Sequence, residues 1–528
     1  MSSGLSSETV RSGGVPPEKS LYVVKPRVAQ SERFTQQYSP KSQSNYSVDA
    51  GNGSTQVIIH IPQAKYMDPE NCHLVFTLGV TGGTAGTTTF SDGACSFIKT
   101  LEIESGSSSN VLERIDNFNI LSKFLHKVTY GEDAYESALN LEGFMKADER
   151  RTVTAAMIGG TVVSALTYTF SVNLAAVSGI LGCDKYLPLK FMQGGLTLRM
   201  TLEDPNNVFS GASVTSYQLS DVYYTCDMVD FKDKSKYDSM MQEKLSSGGI
   251  SIDFAGWNTH QHNISSGVSS QSIELSDRAS SIKTIMFAQQ LEANWGTNPE
   301  TKDNLALTDD NGLSTYQFEI AGNNYPRFPC PSGIANPVRA LVERTKAFNG
   351  MNDALYTTKS FGFPYFAARR IQYTAASAAD PVAFTVQAGH GVKIGDILTA
   401  LNYGTALDAT ATSVTVTAVT ATLITGTSTA DTNATGGTGP GYLVYTTAAN
   451  DPEYKGPDDT LLTNLIFAQN FESHKEGRFT EAGESTDSSV PVRLKLMYSS
   501  SSAARLYAFV YTDRRLHIGI DGFSQVME

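Results

Sequence analysis

Cysteine is scarce and scattered: Cys72, Cys95, Cys183, Cys226 and Cys330 form an odd set with no CxxC pair. That pattern argues against a disulfide framework and suits free thiols in a reducing compartment. Charge is also thin, at 18% of residues, and it leans negative, with 40 Lys+Arg against 53 Asp+Glu for a net charge of -13. A chain that coats phosphate backbones needs clustered cations, so direct nucleic-acid binding, specific or not, is disfavoured. The first twenty residues, MSSGLSSETVRSGGVPPEKS, lack an apolar core and carry no secretory signal, so folding inside the cell is expected. One stretch, Thr152 to Cys183, has no charge at all and is long enough to span a bilayer. Within it Leu166, Tyr168, Phe170 and Val172 alternate with Thr167, Thr169 and Ser171, the period of a half-buried strand rather than a lipid-facing helix.

What is present is strand material. At 528 residues the chain has room for about two to four domains, and 44 Gly among abundant Ser and Thr favour strands and turns. Val57, Ile59 and Ile61 share one face. After the turn-forming MDPEN come Leu74, Phe76, Leu78 and Val80, and later Leu196, Leu198, Met200 and Leu202. Short alternating strands with turns between them spell a sandwich or barrel, an all-β fold. Between Ser109 and Thr129 the period changes: Ile115, Phe118, Leu121 and Leu125 predict an amphipathic helix with Asn110 as N-cap and Glu113 as its capping partner. Two more helices are expected, Asp233 to Leu245 as a linker and Asn336 to Phe348, which stops at Asn349-Gly350. The order strands, helix, strands, linker, strands, helix, strands implies two similar bodies of about 200 residues each.

Two segments fall outside that pair. Residues 1–50 look like an extended arm with one apolar island at Leu21, Tyr22, Val23 and Val24. Its six basic residues, among them Arg27 and Arg33, barely outnumber four acids. Residues 373–450 hold eighteen Thr and five charged residues, with runs such as SVTVTAVTATLITGTS. They read as a small β-barrel or sandwich inserted in a surface loop of the second body, or else as a Thr-rich linker without structure.

Chemistry is hard to find. His260 and His262 could share one strand face and a metal ion, but no third ligand offers itself, and exposed strand histidines are the plainer reading. TDDNG at Thr308 to Gly312 lacks the spacing of a calcium loop, and GGTGPG at Gly436 to Gly441 precedes a strand rather than the helix a phosphate loop needs. Asp309/Asp310 and Asp458/Asp459 sit in turn-rich segments as solvated carboxylates, and the acceptor patterns at Asn52, Asn263 and Asn433 mean little without export. No Walker lysine, HExxH or GxSxG appears, so neither an enzyme nor a cofactor is expected.

Three segments carry a resemblance. VIIHIPQAKYMDPENCHLVFTLGV (Val57 to Val80), SGILGCDKYLPLKFMQGGLTLRMT (Ser178 to Thr201) and PVRLKLMYSSSSAARLYAFVYTDRRLHI (Pro491 to Ile518) resemble, in that order, segments of the double jelly-roll major capsid proteins of the adenovirus/tectivirus-like lineage. The resemblance is in particular to those of polinton-like viruses, virophages and adintovirus-type elements. The turn Tyr511-Thr512-Asp513-Arg514 is similar to the "Y-D-R" turn before their last strand, with one residue inserted; the arm and the Thr-rich module depart from the pattern.

The resemblance implies two consecutive eight-stranded jelly rolls with short loop helices: an arm at 1–50, a first jelly roll at 51–231, a linker helix at 232–248, and a second jelly roll at 249–528 bearing the 373–450 module as an outer turret. It implies a structural, non-enzymatic protein of the virion capsid of an icosahedral double-stranded DNA virus, forming pseudo-hexameric homotrimers. Its partners would be further capsomers, a penton or vertex protein and minor cement proteins. Leu21, Tyr22, Val23, Val24, Arg27 and Arg33 become candidates for an assembly arm. Competing readings are an adhesin or carbohydrate-binding sandwich, usually exported, and a jelly-roll enzyme, which needs a convergent acid or histidine cluster.

Overall fold

A computed structural model describes residues 30–527 apart from 52–54, 84–87, 91–92, 107–109, 131–137, 145–150, 153–167, 211–213, 293–294, 296–304, 306–307, 309–310, 333–337, 349–369, 377–381, 387–391, 393, 395–396, 403–411, 421, 429–440, 446–465, 473–482 and 487–490. The first body is built from β1 (Ser31–Tyr38), β2 (Tyr46–Asp49), β3 (Gln56–Ile61), β4 (Tyr66–Gly82), β5 (Thr89–Phe90), β6 (Ile98–Ser105), β7 (Val111–Asp116), α1 (Phe118–Thr129), β8 (Arg151–Thr152), β9 (Tyr168–Asn173), β10 (Leu196–Leu202), β11 (Phe209–Ser210) and β12 (Val214–Phe231). Its sheets run β2-β12-β4-β9 and β3-β10-β6-β7, while β11-β5-β8 form a small third sheet. Counting the eight principal strands along the chain, one sheet takes them in the order first, eighth, third, sixth and the other second, seventh, fourth, fifth. That is the wrapping of a jelly roll.

Helix α2 (Lys234–Gly248) leads into the second body, built from β13 (Ile250–Ile264), β14 (Ser270–Leu275), β15 (Ile282–Leu291), β16 (Leu313–Ile320), β17 (Asn323–Pro331) and α3 (Val338–Ala347). Next comes an insertion: β18 (Arg370–Ala376), β19 (Val382–Val386), β20 (Ile397–Asn402), β21 (Thr412–Val419), β22 (Leu423–Ser428) and β23 (Gly441–Tyr445). The body closes with β24 (Phe467–Asn470), β25 (Val492–Tyr498), β26 (Ala504–Ile518) and β27 (Ser524–Met527). The sheets β13-β26-β15-β24 and β14-β25-β16-β17 repeat the first wrapping strand for strand, so the fold is a double jelly roll. A helix follows the fifth strand in both bodies, α1 in one and α3 in the other.

The alternation read from sequence is what buries the sheets. Leu196, Leu198, Met200 and Leu202 are buried and the residues between them half-buried. Phe76, Phe90, Phe97, Phe170, Phe209 and Tyr217 interlock in the first core with ring centroids 5.1–6.2 Å apart, and Phe287, Tyr316, Phe318, Phe467 and Phe471 do the same in the second. Edge-to-face and tilted aromatic pairs of this kind add to plain area burial. The insertion closes as a six-stranded barrel, β18-β19-β22-β21-β20-β23, around its own core of Tyr373, Phe384, Leu398, Val414, Val416, Ile424 and Leu443. Thr385, Thr415, Thr417, Thr425 and Thr427 take the outward half of the alternation, opposite the buried Phe384, Val414, Val416 and Ile424. Among the described residues no helix is long and apolar enough to cross a membrane.

Four sequence expectations change. Residues 31–38 and 46–49, placed in the arm, pair in succession along one edge of β12, so they form the first strand in two pieces. The expected helix from Ser109 is strand β7 up to Asp116 and helix only from Phe118. Asn117, in the left-handed region at φ 52°, marks the change, and Asn110 caps nothing. MDPEN is a bulged start of β4, not a turn. Thr512 to Arg515 continue β26, and the chain turns only beyond Ile518.

Candidate assembly surfaces

The two sandwiches share a seam, and it is the most elaborate surface of the molecule. The second body's first sheet supplies Phe254, Trp257, Met286, Phe509, Leu516 and Ile518, all buried in one cluster that continues into the first body's core. Phe124 of α1 meets Phe509 edge-on at 6.1 Å, and Trp257 lies 4.5 Å from Tyr511. Backbones come into contact as well: a Cβ on Gly179 would lie 2.0 Å from the Ala255 carbonyl oxygen, so only glycine fits there. Cross-seam hydrogen bonds run from Thr259 Oγ1 to the Asp116 carbonyl at 2.8 Å, from Asn110 Nδ2 to the Ser524 carbonyl at 3.0 Å and from the Gln193 amide to the Gly522 carbonyl at 2.9 Å.

A polar cluster sits inside this apolar seam. Glu113, fully buried, accepts from Ser178 Oγ at 2.5 Å and from the amides of Gly179 at 2.9 Å and Ile180 at 3.2 Å. Burial pushes its carboxyl pKa up; the three donors and the Arg514 guanidinium across the seam pull the other way and do not cancel it. Arg514, 5% exposed, donates to Asn258 and to Thr512 Oγ1. Asn258 in turn donates to Asp277 at 2.9 Å, and Asp277 also holds His260 Nε2 at 2.6 Å. His260 and His262 do share a face, with rings 6.5 Å apart, but the carboxylate of Asp277 occupies His260. Burial and the neighbouring His260 lower the pKa of His262. Among the described residues no three His, Cys, Asp or Glu side chains converge as a metal site.

The corresponding outward face of the first body is polar. Arg33 bridges Asp68 at 2.7 Å and Asp227 at 2.8 Å, and Thr35 donates to Asp227 at 2.7 Å. Of the candidate arm residues, Arg33 is thus held on β1 by carboxylates of its own chain. Leu21, Tyr22, Val23, Val24 and Arg27 lie outside the described residues, as do Asp309, Asp310, Gly436 to Pro440, Asp458 and Asp459. Large apolar side chains left exposed include Phe328 at 67%, Ile394 at 69% on the barrel and Ile520 at 75%.

Sequence reasoning missed Glu113 and Arg514 as partners. Glu113 was assigned to a helix cap and Arg514 to a turn. The sequence held no clear signal for the pair: Leu112 to Ile115 reads LERI and Tyr511 to Leu516 reads YTDRRL, each with further charges beside the one that is buried.

No protein-family model matches the chain, and no curated protein matches it. Solved structures do. PBCV-1 VP54, as fitted into a cryo-EM reconstruction of the virophage Sputnik, superposes with a TM-score of 0.52 at 12% identity, covering 96% of this chain and 99% of that one. A chain of the PBCV-1 virus capsid superposes with a TM-score of 0.52 at 11% identity over the same shares. At such identities the likeness is one of fold.

Proposed function

We propose that this chain is the major capsid protein of an icosahedral double-stranded DNA virus, resident in the virion, whose homotrimers tile the shell. The observation that carries the proposal is the duplication itself: two complete jelly rolls, side by side in one chain, locked by a buried seam. Three such chains arranged in a ring present six sandwiches and so a near-hexagonal tile, which a single sandwich could reach only as a hexamer. The likeness to PBCV-1 capsid chains spans nearly all of both chains and favours the same use. The reading also accounts for the chemistry. A container needs cohesive surfaces rather than a reactive pocket, and a net charge of -13 leaves genome condensation to other components.

Within this reading the segment up to residue 30 runs beneath the tile and ties it to neighbouring capsomers, with Leu21, Tyr22, Val23 and Val24 as its anchor. The barrel at Arg370–Tyr445 stands as a turret on the outer face, and vertex and cement proteins complete the shell. Light scattering and negative-stain imaging of the purified chain test the core of it: a trimeric mass and three-fold particles of hexagonal outline are expected, and a strictly monomeric species at all concentrations would refute it. Removing residues 1–29 should spare trimers and impair shells.

A further inference from the structure

The two sandwiches match not only in wrapping but residue by residue. Leu198 stands opposite Ile103 as Leu494 stands opposite Phe318, and Met200 opposite Leu101 as Leu496 opposite Tyr316. Even the ion pair beside them recurs, Arg199 with Glu104 in one body and Lys495 with Glu319 in the other. On the other sheet Phe76 faces Phe170 as Phe287 faces Phe467, and the partner strands end on Asn173 and Asn470. These registers carry Val75 onto Met286, Tyr223 onto Phe509, Thr225 onto Tyr511, Gln37 onto Trp257 and Gln36 onto Gly256.

That correspondence exposes an imbalance. Trp257, Met286 and Phe509 are buried by the first body, whereas their counterparts Gln37, Val75 and Tyr223 are exposed or half-buried among the described residues. The covering element is unbalanced in the same way. Glu113 lies two residues before Ile115, which faces Leu101, and from there it reaches Arg514 beside Gly256, where a Cβ would be 3.1 Å from Glu113 Oε1. Two residues before Cys330, which faces Tyr316, stands Phe328 on a bulged stretch of β17, 67% exposed.

We infer that Phe328 is the seam-forming side chain of the second body and that it packs on the edge strand β1 of the first body in a second copy of this chain, next to Gln36. The inference rests on the ring assembly proposed above, since a closed ring sets each second body against the next copy's first. The two kinds of seam then differ in chemistry. Within a chain the seam is apolar around the buried Glu113 carboxyl and the Arg514 guanidinium. Between chains a single aromatic anchor meets the exposed polar strand β1, so subunits come apart where the sandwiches of one chain do not.

The test is a site-directed cross-link in the full chain. The five native cysteines are buried, so Gln36→Cys with Phe328→Cys introduces the accessible pair. Added diamide takes up the two electrons and two protons released as the disulfide forms. Covalent dimers and trimers, dissolved by reductant and absent from Gln36→Cys paired with Ile394→Cys, are expected. In parallel, Phe328→Asp should weaken trimers at least tenfold in sedimentation while leaving the monomer's melting unchanged. A wild-type trimer with no cross-link and no effect of Phe328→Asp overturns the inference and leaves the assembly reading standing; a wild-type chain that never trimerises overturns both.

Discussion

Replacing Arg514 by Met removes the cation that faces Glu113 across the seam and keeps most of the side-chain volume. Glu113 retains Ser178, Gly179 and Ile180 as donors but becomes a buried carboxylate without a counter-charge. Breaking a buried pair from one side costs about 3–5 kcal/mol, whereas replacing both partners by neutral groups is nearly neutral because the desolvation penalty goes too. Arg514→Met alone should therefore lower stability by about that amount at pH 8, and Glu113→Gln with Arg514→Met should recover most of it. The pH dependence follows from the direction of the shift. Glu113 holds its proton to higher pH folded than unfolded. Between those two values unfolding releases a proton, so stability falls as pH rises through the interval. Losing Arg514 widens the interval, and the deficit of Arg514→Met should be smaller at pH 5 than at pH 8. Urea unfolding followed by the fluorescence of Trp257, which sits in the seam against Tyr511, reads the event locally. A loss under about 1 kcal/mol, or a double variant no better than Arg514→Met, would refute the view that this pair is electrostatically coupled across the seam.

Three further outcomes are expected. His126 and Glu142 lie 3.9 Å apart, too far for a hydrogen bond. Burial drives the histidine pKa down to about 4 from 6.5 and the carboxyl up to about 7 from 4.5, against smaller opposing backbone hydrogen bonds at Ser122 and Asn173. The histidine makes stability rise with pH between its two values and the carboxyl makes it fall between its own, so the two nearly cancel; Glu142→Gln leaves the rise alone, up to about 3 kcal/mol more stable at pH 7 than at pH 4 relative to wild type, read by thermal melts across that range. Gly179→Val forces the seam open at Ala255 and should cost more than about 3 kcal/mol, with Trp257 emission shifted to the red; an unshifted spectrum counts against the close approach. Replacing residues 370–445 by a short Gly-Ser linker removes a barrel that has its own core, so the remaining chain should melt within a few degrees of wild type; collapse of the main transition would mean the barrel supports the second jelly roll.

Much of the fold was legible because strand burial writes itself into alternation: β3, β9, β10 and β25 were readable from Val57, Phe170, Leu198 and Leu494 and their neighbours. Where the reading failed, a residue answered to a partner far away in sequence. Glu113 and Arg514 are 401 positions apart, and β1 becomes a strand only because the edge of β12 is free to receive it. Asn110 followed by Glu113 has the form of a capping box, yet the side chain of Asn110 goes to Ser524 instead.

The order of apolar and polar residues by itself determined the all-β class and pointed to two bodies, a linker helix and a distinct Thr-rich segment, since each leaves its mark in local alternation or in composition. Which sheet face meets which, and that one outward face is sealed while its twin is left open, came only with the tertiary structure. Both faces are built from the same alternating pattern, and only the packing of whole sandwiches decides which of them water can reach.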